Sequence, residues 1–113
     1  NVFVGMLSGS NNVGGQRNIF IGYSAGSNSI DGDQNIAIGS YSGTNLKDFE
    51  GNILSGFYSG DKIEGNYNII SGYQAGRNLV TADSNVMIGK ESGFNMISGN
   101  RNTFLGVNSG LIQ

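Results

Sequence analysis

The chain has 113 residues, 20 of them Gly, with no Pro, Cys, His or Trp and a formal net charge of −2. Its six Lys and Arg are scattered rather than gathered into a basic stripe, which argues against nucleic-acid binding. Without His a Ser-His-Asp triad lacks its base, without Cys there are neither disulfides nor thiolate metal sites, and no apolar run is long enough to span a bilayer.

From its first residue the chain repeats one phrase. Asn recurs as Asn1, Asn18, Asn35, Asn52, Asn68, Asn85 and Asn102, with spacings of 17, 17, 17, 16, 17 and 17 residues. An apolar-rich triplet follows each Asn, then a first Gly (Gly5, Gly22, Gly39, Gly56, Gly72, Gly89, Gly106). A second Gly stands four residues later (Gly9, Gly26, Gly43, Gly60, Gly76, Gly93, Gly110). So much Gly without a period would suggest disorder, but Gly at fixed offsets marks a chain that turns at the same place in every repeat. Short triplets of β-branched and aliphatic residues between Asn and Gly predict strands, and Gly every few residues excludes helix. The expected fold is all-β: a parallel β-solenoid of about seven coils of 16–17 residues, one domain over residues 1–113. Six steps of about 4.8 Å give a rod of roughly 29 Å. Because the first residue already lies inside a repeat, the segment reads as a piece of a longer protein.

Counting each repeat from its Asn as position 1, side chains at positions 2 and 4 share one face of the strand and position 3 the other. Position 2 is Val2, Ile19, Ile36, Ile53, Ile69, Val86 and Thr103; position 4 is Val4, Ile21, Ile38, Ser55, Ser71, Ile88 and Leu105. Placing these two columns inside leaves a single apolar column out. That column is Phe3, Phe20, Ala37, Leu54, Ile70, Met87 and Phe104, and an exposed stripe of this kind marks an interface. These seven residues are therefore the expected seam between chains. Position 13 supplies a second inward column of Val13, Ile30, Lys47, Ile63, Val80 and Ile97, with Leu46 and Phe49 standing in where Lys47 is polar. The short repeat, residues 52–67, is expected to lack position 12, and Ser55 and Ser71 to meet inside the stack. At Leu111-Ile112-Gln113 the pattern breaks.

The polar columns have turn chemistry behind them. Asn at position 1, and at position 11 as Asn11, Asn28, Asn45, Asn78 and Asn95 with Lys62 the exception, can form amide ladders and tolerates left-handed turns. The acids Asp31, Asp33, Asp48, Glu50, Asp61, Glu64, Asp83 and Glu91 fall mostly in the turn half of the repeat. Paired acids could cut a glycosidic bond, but solvated turn residues need no such role. Asp31-Gly32-Asp33 and Asp48-Phe49-Glu50 match no calcium loop, and no phosphate loop is present. No catalytic, cofactor or metal residue is assigned. Tyr23, Tyr41, Phe57, Tyr58 and Tyr73 gather at positions 6 and 7 of the central coils, as candidate glycan contacts or as rings packed between chains.

Asn-Ile-Phe-Ile-Gly (18–22), Asn-Ile-Ala-Ile-Gly (35–39) and Asn-Val-Met-Ile-Gly (85–89) resemble the head repeats of trimeric autotransporter adhesins. They are also similar to the Asn-x-φ-φ-Gly-x-x-Ser/Ala-Gly arrays of phage tail fibres, φ being an apolar residue. The resemblance covers residues 1–110. It implies a left-handed β-roll, three parallel chains about one axis, and an extracellular adhesive fibre, on a cell surface or a virion tail, that attaches to a cell-surface glycan or receptor. The repeat of 17 residues is longer than the usual adhesin-head repeat. The expected function is structural and adhesive, without enzymatic activity, cofactor or membrane insertion. The alternatives are a glycan-degrading tail-spike domain using acids such as Asp31 and Asp33, or a passive spacer behind a separate binding tip.

Overall fold

A computed structural model describes residues 1–110; Leu111-Ile112-Gln113, where the repeat pattern breaks, lie outside the described residues. Each triplet after an Asn is a strand: β1 (Val2–Val4), β2 (Ile19–Ile21), β3 (Ile36–Ile38), β4 (Ile53–Ser55), β5 (Ile69–Ser71), β6 (Val86–Ile88) and β7 (Thr103–Leu105). They form one seven-stranded sheet in chain order. All neighbours are parallel and in repeat register, Val2 opposite Ile19, Ile19 opposite Ile36, and so on to Val86 opposite Thr103. The chain is a β-solenoid, as the repeat predicts, with Cα extents of 37 × 21 × 16 Å.

The two faces of the strands are the reverse of the expected assignment. Phe20, Ala37, Leu54, Ile70 and Met87 are fully buried within the single chain, and Phe104 packs against the core they form. Phe3 lies in the same column, its ring stacked on Phe20 with centroids 5.1 Å apart, though it is partly open at the end of the stack. The column expected to be the seam is therefore the interior of the coil. The reason lies at position 1. Asn18, Asn35, Asn52, Asn68 and Asn85 are buried, and a period of two puts position 3 on the same side as position 1. Ser55 and Ser71 accordingly lie on the outer face.

The other inward columns are positions 8, 12 and 15. Position 8 is Ser or Ala throughout, and Ser8, Ser42, Ser59 and Ser92 each donate a hydroxyl to the position 3 carbonyl of the next coil at 2.8–3.2 Å. Position 12 is Asn12, Ser29, Leu46, Ile63, Leu79 and Met96, which corrects the expected position 13 column by one residue. Val13, Ile30, Lys47, Val80 and Ile97 face outward or lie part-exposed, Val13 at 82% and Ile97 at 64%. Leu46 is the regular core residue of its coil, and Lys47 needs no apolar stand-in. In the first three coils a large residue at one of positions 3 and 12 accompanies a small one at the other: Phe3 with Asn12, Phe20 with Ser29 and Ala37 with Leu46. The later coils pair two residues of middle size, Leu54 with Ile63, Ile70 with Leu79 and Met87 with Met96.

Hydrogen bonding also locates the missing residue. Ile63 occupies the position 12 column, whereas Glu64 pairs with Thr81, and Thr81 with Ser98, both at position 14. The short coil lacks position 13, not 12. Deletion of an outward residue removes no core contact, so the stack tolerates it.

Glycine is required where strand turns to loop. Gly39 has φ +124°, and a Cβ there would lie 2.7 Å from the Gly56 carbonyl oxygen. Two other points of the coil are left-handed, and apart from Gly51 at position 17 the residues there are not glycine. Position 7 (Leu7, Ser24, Tyr41, Tyr58, Gln74, Glu91, Asn108) has φ of 56–62°, as does position 17 at Arg17, Gln34, Tyr67, Ser84 and Arg101, with φ of 58–59°. This costs about 1–2 kcal/mol per residue. From the second coil on it is offset by a regular bond in which the amide of each such residue donates to the preceding position of the coil before it, as Tyr41 to Tyr23 and Gln34 to Gln16, both at 2.9 Å.

Candidate functional site

With position 3 inside, the outer face of the sheet carries positions 2 and 4. Val2, Val4, Ile21, Ile38, Ile53, Ile69, Ile88 and Leu105 are exposed on it, and Ile19, Ile36 and Val86 are half-buried. Because the strands are in register, these side chains form two continuous columns along the rod, interrupted only by Ser55, Ser71 and Thr103. Contiguous exposed apolar surface of this extent is unusual on a lone chain.

Just beyond each strand, positions 6 and 7 bring all five candidate aromatics into one ladder. Tyr41 stacks on Tyr58 (centroids 4.7 Å, planes 11° apart) and Phe57 on Tyr73 (5.6 Å, 16°). Tyr23 meets Tyr41 edge to face at 5.4 Å, and Phe57 meets Tyr58 the same way at 4.6 Å. The Arg77 guanidinium caps the Tyr58 ring at 4.0 Å from its centroid. The middle rings thus give their faces to each other and to Arg77, while Tyr23 and Tyr73 at the two ends of the ladder are exposed. Burial among these rings, then the neighbouring phenols Tyr23 and Tyr58, push the Tyr41 pKa above its ordinary value. A hydrogen bond to the Glu50 carboxylate does the same at Tyr67. No sequence signal foretold the Arg77 cap; the 17-residue spacing foretold only that the rings would be neighbours.

Comparison with protein-family models, curated proteins and solved structures gives no match. The site is therefore read from its own geometry.

Three carboxylates tie the coils together, and Glu50 and Glu64 bond Tyr67 and Lys47. Asp31 accepts from the Gly14 amide at 2.9 Å and Asp33 from the Gln16 amide at 2.7 Å, each tying one coil to the one before. Asp83 does the same for Asn66 at 2.7 Å, and Asn66 and Asn100 continue the column. Among the described residues no group of three acids could hold a metal ion, and no helix is long and apolar enough to cross a membrane.

Asp61 differs from these acids. Its side chain is buried and one oxygen has no hydrogen-bond partner. Burial raises its pKa above the ordinary 3.8, against the opposing pull of Arg77 and Lys62. A raised carboxylate pKa means that the folded chain holds the proton more tightly than the unfolded one. Stability therefore falls as pH climbs through the window just above 3.8 and is not regained at neutral pH. Asp61→Asn is expected to raise the urea midpoint at pH 7 and to change it little at pH 3. Equal effects at both pH values would contradict this account.

Proposed function

We propose that this chain is a structural and adhesive segment of an extracellular homotrimeric fibre, of the surface-adhesin or tail-fibre kind, that attaches to a cell surface or its glycans. The observation that carries the reading is the apolar face along the outside of the sheet, broken only at Ser55, Ser71 and Thr103. Two columns of Val, Ile and Leu in repeat register fit the same columns on a parallel copy, and burying them gains about 25 cal/mol per Å2. The seam of the fibre thus lies at positions 2 and 4. Left-handed winding and three chains follow from the repeat resemblance. Asp31 and Asp33, the pair a cleaving site would use, already accept from backbone amides, which supports attachment rather than cleavage as the task.

The test is the solution mass by light scattering, for the natural chain and for Ile21→Lys with Ile38→Lys. A trimer is expected for the first and a monomer with an unchanged circular dichroism spectrum for the second. A natural chain that is already monomeric, or a double variant that keeps its mass, would overturn the assignment of the seam.

A further inference from the structure

We propose that a groove over coils 4 to 6 binds one acidic sugar residue, its carboxylate on Lys62 and a ring hydroxyl on Asn78. Positions 11 and 13 flank the inward position 12, so their side chains stand up as the two walls of a furrow along the rod. Over these coils the furrow forms a cavity of about 360 Å3 lined by Lys62, Asn78, Val80, Asn95 and Ile97. That volume is at the small end of the ~300–1,000 Å3 typical of ligand pockets and suits a single ring.

Two departures from the repeat meet here. Coil 4 is the only 16-residue coil, and the residue it lacks belongs to position 13, which leaves the groove open at that end. The same coil carries the only Lys of the position 11 column, which elsewhere is Asn11, Asn28, Asn45, Asn78 and Asn95. The scaffold requires neither change, since the other coils stack without them.

The chemistry of the walls is specific. The Lys62 ammonium donates to the Asn78 side-chain oxygen at 3.2 Å, which leaves two of its three N–H groups free to donate. Glu64 is already paired with Lys47 at 3.1 Å, and the Asp61 carboxylate feels both Lys62 and Arg77. The Asn78 carboxamide donates one N–H to the Phe94 carbonyl at 3.0 Å, which leaves its second N–H for a ring hydroxyl, and Val80 and Ile97 offer an aliphatic wall to the C–H face of a pyranose. One ammonium, with no guanidinium in the lining, suits a singly charged carboxylate better than a phosphate dianion. The inference rests on the attachment reading for its biological sense, but not for its test.

The experiment is a methyl- and amide-detected NMR titration of the natural chain with methyl glucuronide, neutral methyl glucoside and inorganic phosphate. Methyl glucuronide is expected to shift the Val80 and Ile97 methyls and the Asn78 and Asn95 amides saturably, with a Kd of about 1 mM, and the neutral glycoside to bind at least about tenfold more weakly. Lys62→Asn, which restores the column, should abolish the preference for the acid. A Val inserted between Ile63 and Glu64, which restores the 17-residue spacing, should close the groove and remove binding. Absence of saturable shifts would overturn the proposal, as would variants that bind like the natural chain, or phosphate that binds as well as the glucuronide. A trimeric mass without sugar binding would remove this site and leave the fibre reading standing; sugar binding by a monomer would do the reverse.

Discussion

Phe20→Asp should leave the chain unfolded, while Ile21→Asp, one residue along the same strand, should leave the coil intact. Phe20 is fully buried, stacked on Phe3 and in the central column of the core. Truncating a buried Phe costs about 3–5 kcal/mol. A carboxylate in its place adds the cost of a buried, unpaired charge, several kcal/mol more. Against a total stability of about 5–15 kcal/mol for a domain, the sum removes the folded state. Ile21 points out of the sheet, where a substitution costs roughly 0.5 kcal/mol or less to the fold and acts instead on association. Far-ultraviolet circular dichroism of the two variants reads the difference directly. A folded Phe20→Asp chain would mean that position 3 faces outward after all.

Asn52→Ala should cost about 3–6 kcal/mol, since it strands several buried polar groups at about 1–3 kcal/mol each. The Asn52 side-chain nitrogen donates to the Gly65 carbonyl at 2.8 Å, across its own coil, and to the Asn35 oxygen at 3.2 Å. Its oxygen accepts from the Asn68 backbone amide and side-chain amide, both at 3.0 Å. Alanine leaves these partners buried without water. Asn11→Ala is the control, because Asn11 donates to Asn28 at 3.0 Å on the exposed side, where its loss should matter by roughly 0.5 kcal/mol or less. Urea denaturation of the pair measures the contrast, and equal losses would remove the buried ladder from the account of stability.

The repeat made the strands, their parallel order and their register legible, because a period that places Asn18 above Asn1 also places Ile19 above Val2. It did not reveal which side of the strand is inside. The usual signal is alternation of polar and apolar residues, and a triplet such as Ile19-Phe20-Ile21 has none. The deciding residue is the polar one. Asn at position 1 is buried because its amide bonds both to its own coil and to the next, and it takes position 3 inward with it. Position 12 was missed for a related reason. It begins with Asn12 and Ser29, polar where large Phe rings leave little room, so the more uniformly aliphatic position 13 looked like core. The aromatic neighbours could be read from spacing, but the stacking of Tyr41 on Tyr58 could not, since both stand on left-handed backbone that their residue types do not announce.

Each coil bonds only to the coils above and below it, through interstrand hydrogen bonds that run along the rod. Tension applied between the two ends therefore loads those bonds one layer at a time, and the structure yields by peeling. Every layer that lets go releases 17 residues, or 16 for the short one, roughly 55–60 Å of slack from about 4.8 Å of length. A tether built this way meets a sudden pull with extension in steps, and the layers still stacked keep their grip while it lengthens.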